Sequence, residues 1–414
     1  MNRGSPKRVL LISTNYWPEP TGISVYSTDL AEWLILKGYE VTVVTSLPHY
    51  PWWKIPDEFN HFREGLSFVN GVKVVRANHL IPKRMNAIIR IRFEFSLWWN
   101  LRKTARTITG EKFDLVIAIV PTIAAGLVAK NIAKKSKASL GIVVQDLSGI
   151  GAKQSGLRGG EAISKIAHEV EGHVLRGADA LVVVSPAMKN VITEYGVPLM
   201  KITQIANYSA KAITSFDATS ARTKFGWTSK DFIVIHTGNM GAKQDLENLV
   251  QAAEILKNSS KVKIYLVGHG NQESKLKSLC RDKKNIFVMP AVLEEDYSAL
   301  LSAADLLLVN ERITQMDMSL PSKLTSYLFS RRPVLASVPP NGATWKFLDG
   351  IAELVEAGNP LTLAQKIEEL SKNPKRLKEL SDLGYKFAKE NLDAEKGRQK
   401  YLDWVNALLK MKSS

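Results

Sequence analysis

The chain has one cysteine, Cys280, in 414 residues. A single thiol builds neither a disulfide framework nor a cysteine-based metal cluster, and it fits a reducing compartment such as the cytosol. Seven histidines are scattered without metal-ligand spacing, and no HExxH occurs. The first strand-to-helix turn lacks G-x-G-x-x-G, which speaks against a nicotinamide or flavin enzyme. Long hydrophobic runs are missing too. The longest uncharged stretch, 115–129, contains Pro121 and falls short of a membrane span. The opening apolar run lacks the length and small-residue cleavage site of a signal peptide, so it reads as a buried strand. A cytoplasmic protein that is not integral to a membrane is expected.

What is present points to two α/β domains. The length exceeds one compact core, and the 45% apolar fraction suffices to build two. Short apolar runs at Arg8–Ser13, Glu40–Ser46, Val72–Ala77, Leu115–Val120, Ser139–Gln145 and Ala180–Ser185 alternate with helical patterns such as Ser24–Lys37, Ile123–Lys135 and Gly160–Gly177. Apolar strands separated by helices imply a parallel sheet covered on both faces. The second half repeats the scheme with Phe232–Thr237, Lys263–Val267, Ile286–Met289, Asp305–Val309 and Pro333–Ser337 as strands and Leu246–Lys257 as a helix. The polar, turn-rich stretch Ile205–Phe225 marks the junction. The expected domains are 1–207 and 208–390, with an amphipathic helix in 391–414 crossing back to the first. Two doubly wound domains place their strand carboxyl ends around a central cleft.

Three segments carry candidate chemistry. Residues 15–24, NYWPEPTGIS, put Gly22 just before a helix, where backbone amides approach an anion closely; a plain βα turn reads the same. Residues 237–244, TGNMGAKQ, place Gly238, Asn239 and Lys243 at a strand-to-helix turn, which suits a diphosphate. A solvated loop lysine is the plainer alternative. Residues 319–324, SLPSKL, open another helix, with Pro321 near its first turn, Ser319 or Ser322 as caps, Lys323 beside its free amides and Leu324 following. An ordinary capped helix looks alike. Two sites that each pair a lysine with a helix start are what a departing nucleotide diphosphate needs.

Taken in order, these segments resemble the GT-B glycosyltransferases of family 4, in particular the bacterial cell-surface polysaccharide branch with its colanic acid and O-antigen enzymes. The resemblance runs over nearly the whole chain: the opening VLLISTNYWPEPTGISVYSTDLAEWLILKGYEVTVVTSLPHYP, then VVQDL at 143–147, ADALVVVSPAMKNVITEYGVP at 178–198, HTGNMGAKQDLENLVQAAEIL, LVGHG at 266–270 and PSKLTSYLFSRRPVLAS at 321–337. It implies an α/β GT-B fold of two Rossmann-like domains facing a cleft, and a retaining transfer from a nucleotide sugar held mainly by the second domain. Gly22 then matches the glycine loop facing the donor phosphates, and Lys243 matches the diphosphate lysine, preceded by the turn at Gly238 and Asn239. Gly268 and Gly270 match glycines closing the strand beside the nucleobase pocket, and Pro290 and Val292 lie where backbone packs on the base. Lys323 and the amides at Ser322 and Leu324 complete the expected donor site. No cofactor and no metal are implied. Three positions depart from the family pattern. Its glutamate pair corresponds to Met318 and Ser326, leaving Asp317 or Glu311 as candidates for the ribose. Gln145-Asp146 stands for His-Asp, with Asp146 to orient acceptor or donor. Thr21-Gly22 stands for a double glycine. A nucleotide-sugar epimerase on the same fold and an inactive partner subunit remain alternatives.

Charge and rings bear on the acceptor. The net charge of +16 is spread over both halves. With no nucleic-acid motif present, nucleic acid is not the expected partner. The loop 47–53, LPHYPWW, offers His49, Tyr50, Trp52 and Trp53 to a sugar or a membrane interface. Lys83–Lys112 holds eight basic and two acidic residues among Ile88, Ile89, Phe93, Phe95, Trp98 and Trp99. It reads either as a helix binding an anionic membrane surface or as a core helix with a basic outer face. Enzymes of this branch build on polyprenyl-diphosphate-linked acceptors, which a peripheral position on the membrane serves.

Overall fold

A computed structural model describes residues 6–20, 22–60, 65–82, 87–108, 110–147, 160–209, 213–214, 216–259, 261–314 and 320–411. Strands β1 (Arg8–Ser13), β2 (Glu40–Ser46), β3 (Gly65–Val69), β4 (Val72–Ala77), β5 (Leu115–Val120), β6 (Ser139–Val144), β7 (Ala180–Val183) and β8 (Ile202–Gln204) come first, among helices α1 (Ile23–Leu36), α2 (Ala87–Arg106), α3 (Ile123–Ser136), α4 (Gly160–Arg176) and α5 (Pro186–Glu194). The second series has β9 (Phe232–Thr237), β10 (Val262–Val267), β11 (Ile286–Met289), β12 (Leu306–Asn310), β13 (Val334–Val338) and β14 (Glu353–Glu356). Its helices are α6 (Ala218–Lys224), α7 (Glu247–Ile255), α8 (Glu273–Cys280), α9 (Glu294–Ala303), α10 (Lys323–Phe329), α11 (Ala343–Leu348), α12 (Pro360–Ser371) and α13 (Pro374–Asn391). Helix α14 (Ala394–Lys410) ends the chain.

The chain divides into two compact units, Met1–Ala206 with Glu395–Ser414, and Asn207–Ala394. The first unit is built on a sheet of order β3-β4-β2-β1-β5-β6-β7-β8. β5 and β6 are buried along their whole length, as strands covered on both faces must be. Every pairing is parallel except β3 with β4. That hairpin departs from the all-parallel expectation. It turns on Asn70-Gly71, both at positive φ (48° and 82°), the Asn-Gly turn that suits a two-residue connection. The second unit has the order β11-β10-β9-β12-β13-β14, parallel throughout. Its core joins Val234, Ile264, Leu308 and Leu335 to Leu249, Ala253, Leu363 and Ile367 of α7 and α12. Parallel strands all end on one edge of a sheet, so in each unit the loops after the strands gather there.

Helix α14 belongs to the first unit. Its Arg398 pairs with Asp29 of α1, and its Asn406 side chain accepts the Tyr39 hydroxyl at 2.6 Å. The Ser139 hydroxyl donates to the Leu408 carbonyl at 2.8 Å. The helix closes on the sheet at Gly141 of β6. A Cβ there would fall 2.5 Å from Trp404 Cη2 and 2.8 Å from Leu408 Cδ1. Glycine is thus the space that Trp404 fills. Gly141→Ala should cost about 1–3 kcal/mol by overpacking, seen as a lower melting temperature. Trp404→Phe in the same chain should recover part of the loss, and strictly additive losses would contradict the packing assignment.

Candidate active site

In the second unit, β9 ends at Thr237 and the turn that follows lies against the loop after β10. The Gly238 amide donates to the Val267 carbonyl at 2.9 Å and the Met240 amide to the His269 carbonyl at 2.7 Å. A Cβ on Gly268 would stand 1.9 Å from the Gly238 oxygen, and one on Gly270 would stand 2.4 Å from the Met240 oxygen. Gly268 and Gly270 are therefore required for backbone to meet backbone, a role the expectation of a base-side pocket did not include. The amides of Gly238 and Met240 are committed to that contact. Asn239 is exposed, and its side-chain nitrogen covers Gly241, 2.9 Å from where a Cβ would be.

Lys243 follows in a short 3-10 turn with its side chain exposed. Its carbonyl accepts the Arg312 amide at 2.9 Å, which brings the chain after β12 against this turn. The Asn310 side chain donates to the Gln244 and Asp245 carbonyls and accepts from Asn248, which also reaches Ser337. One buried amide network thereby ties the ends of β12 and β13 to the start of α7. A buried network of this kind rigidifies the loops that it joins, although the Asn248 side-chain oxygen has no partner in it.

Lys323 opens α10, with Pro321 and exposed Ser322 ahead of it. Its ammonium lies 3.0 Å from His236 Nε2 and 3.4 Å from the Cβ position of Gly238. The Gly238 turn and Lys323 are hence brought together from 85 residues apart. Burial pushes the ammonium down to about 7, and the nearby Glu311 carboxylate pulls the other way. Beneath it, the Thr237 amide donates to the Tyr327 hydroxyl at 2.7 Å. Leu324 corrects an expectation: its amide bonds the Pro321 carbonyl at 3.0 Å and its side chain is buried, so it packs rather than offering a donor. Glu311 is buried and accepts the Thr344 hydroxyl at 2.7 Å. Pro290 is exposed and Val292 half-buried after β11. Thr21, Asp317, Met318 and Ser319 lie outside the described residues.

In the first unit, the loops after β1 and β2 are joined by Glu19, which the sequence reading passed over. Its side chain is buried, with one oxygen accepting the His49 and Tyr50 amides at 2.8 and 2.9 Å and the other accepting the Asn15 side chain at 2.8 Å. Burial raises its carboxyl to about 7, against those hydrogen bonds. Gly22 caps α1 at φ 70° and ψ −142°, and its Cβ position lies 3.2 Å from the Tyr50 ring. Both the conformation and the contact exclude a side chain. His49, expected among acceptor-binding rings, is buried between His79, Phe93 and Trp53 at centroid distances of 4.5, 5.9 and 5.9 Å. It shapes the loop and has no open face for a sugar. Tyr50 is half-buried, and Trp52 and Trp53 are exposed. Asp146, exposed after β6, accepts the Leu147 amide at 2.8 Å.

Helix α2 carries two apolar stripes. Phe93, Leu97, Leu101 and Ala105 are buried at a four-residue spacing. Ile88, Ile91, Phe95 and Trp99 are exposed, the last two by 61% and 56%. Exposed Arg92, Lys103 and Arg106 lie on the same face as that second stripe. Phe93 also touches Trp53 at 6.2 Å, so the aromatic loop rests on this helix. Among the described residues no helix is long and apolar enough to cross a membrane, and no three His, Cys, Asp or Glu side chains are grouped to hold a metal ion.

Known proteins share this architecture. A putative colanic acid biosynthesis glycosyl transferase, WcaI of Escherichia coli K12, is 28% identical over 340 residues, 78% of this chain and 81% of that one. Sucrose-phosphate synthase of Thermosynechococcus elongatus has a TM-score of 0.79 at 15% identity, covering 98% of this chain and all of that one. The Anabaena protein Alr3699/HepE, solved with UDP, has a TM-score of 0.69 at 15% identity, covering 97% of this chain and all of that one. At such identities the two structures speak to fold alone. The model of the glycosyl transferase 4-like domain matches residues 21–208, and that of the glycosyl transferases group 1 matches residues 217–387. One after the other they account for both units, and the chain belongs to the GT-B glycosyltransferases of family 4.

Proposed function

We propose that this glycosyltransferase moves a sugar from a nucleotide-sugar donor, with retention of configuration, onto a lipid-linked or oligosaccharide acceptor in cell-surface polysaccharide synthesis. The observation that carries the donor half is the half-buried Lys323 ammonium beneath the Gly238 turn. An ammonium kept from water binds a diphosphate more strongly than one in solvent. The colanic acid name of the Escherichia coli relative and the UDP and UDP-glucose complexes of Alr3699/HepE support this reading.

In the reaction, the bond from the anomeric carbon to the diphosphate breaks through an oxocarbenium-like state, and an acceptor hydroxyl forms the new bond on the same face as its proton passes to the departing diphosphate. Charge gathers on the departing diphosphate. Lys323 and Lys243 stabilise it, with the first-turn dipole near Ser322, and no metal or other cofactor is required. Asp146 orients a sugar hydroxyl. Pro290 and Val292 flank the base.

The acceptor half rests on α2. A stripe of Ile88, Ile91, Phe95 and Trp99 rimmed by arginine and lysine suits the headgroup boundary of an anionic bilayer. Trp53, held on the same helix, brings the aromatic loop to that surface, where a polyprenyl-diphosphate-linked acceptor is found. The protein then works as a peripheral enzyme on the cytoplasmic face.

Thermal melting against UDP-, GDP- and TDP-sugars and their free diphosphates tests the donor half. One nucleotide class at a hundred times its Kd should add about 2.7 kcal/mol of stability, and Lys243→Ala should remove most of that gain. A flat response to every nucleotide would overturn the donor reading. For the membrane, co-sedimentation should show binding to phosphatidylglycerol vesicles and little to phosphatidylcholine ones. Phe95→Ser with Trp99→Ser should lose the binding at unchanged melting temperature, and undiminished binding would remove α2 as the docking face.

A further inference from the structure

We propose that His236 is a positioning residue for the donor diphosphate, holding the Lys323 ammonium beneath the Gly238 turn. The inference deepens the donor reading above and rests on it. His236 stands on β9, fully buried, one residue before the strand ends at Thr237. Its Nδ1 lies 3.0 Å from the Leu308 carbonyl of the neighbouring strand β12. A carbonyl only accepts, so the hydrogen sits on Nδ1 and the lone pair is left on Nε2. An ammonium only donates, and Lys323 Nζ is 3.0 Å from that lone pair. The pairing therefore has one consistent arrangement, a neutral imidazole accepting from the lysine nitrogen. Burial and the lysine charge both push the imidazole well below its ordinary range, which keeps it in that state.

The consequence is geometric. A lysine side chain has four rotatable bonds, and ordering it at the moment of binding costs affinity. His236 removes that cost in advance, since β9 and β12 both fix the ring. Among the described residues, the other titratable groups at the spot are Glu311, which attracts the ammonium, and the phenols of Tyr327 and Tyr297, which bond Thr237. With the ammonium pushed down to about 7 in the unligated protein, a diphosphate should draw a proton onto it when binding occurs above that pH. A merely structural histidine would not affect that uptake.

Calorimetry with UDP, GDP and TDP at pH 8.5, in two buffers of different ionisation enthalpy, measures affinity and proton uptake together. The unaltered protein should bind one of the three with proton uptake. His236→Phe should weaken that binding about tenfold or more, as loss of a charge-assisted hydrogen bond implies. It should also change the uptake, whereas His236→Gln, with a side-chain oxygen to accept, should recover most of both. Because His236 acts through Lys323, His236→Phe added to Lys323→Ala should cost nothing further. His236→Leu replaces the phenylalanine variant if that chain does not fold. Unchanged affinity and uptake in the apolar variant, or losses that add in full, would overturn the inference while leaving the donor reading intact. Failure of the unaltered protein to bind any of the three would take down both.

Discussion

A charge drawn partly out of water needs an organised surrounding, and several elements of the second unit converge on one such charge, the half-buried Lys323 ammonium. Its position depends on β9 for His236, on β12 for the Leu308 carbonyl, on Glu311 just after that strand, and on α10 for the lysine itself. These elements converge because parallel strands all end along one edge. The backbone contact of Gly268 with Gly238 brings the next loop onto the same edge. Nothing larger than glycine fits there, so the turn above the lysine is determined by steric exclusion as much as by hydrogen bonds.

The first unit uses a buried charge of the opposite sign. The Glu19 carboxylate draws the loops after β1 and β2 together through three donors, and Tyr50 then closes over Gly22. From there a chain of rings, His49, His79, Phe93 and Trp53, leads to α2 and its exposed apolar stripe. The anion keeps its donors and the lysine its acceptors, as buried charges must. The loops after β1 and β2 and helix α2 are in this way one packed assembly within the unit.

Much of this was legible in the sequence, because strand and helix patterns report burial directly. β1, β2, β4, β5, β9 and β11 have the bounds read from their apolar runs. The β3–β4 hairpin was not read, although Asn70-Gly71 signals it, because β3 is an exposed edge strand with little apolar alternation. Lys243, Lys323 and Gly238 were visible as turn chemistry beside helix starts. Glu19 was not, since the two amides it holds lie 30 and 31 residues on and a lone loop acid looks solvated. His236 was hidden inside FIVIHT, where a strand histidine looks like core. The roles given to His49 and Leu324 changed once burial and the Pro321 carbonyl were known. Periodicity tells which residues are inside, but not which inside polar groups find each other.

Amide hydrogen exchange with and without a saturating nucleotide sugar tests the central claim most directly. Local opening slows where a ligand holds a loop. The account predicts slowed exchange in peptides spanning Gly238–Gln244 and Ser322–Phe329, with β5 and β6 of the first unit unchanged. Slowing confined to the first unit, or absent from both of those peptides, would contradict it.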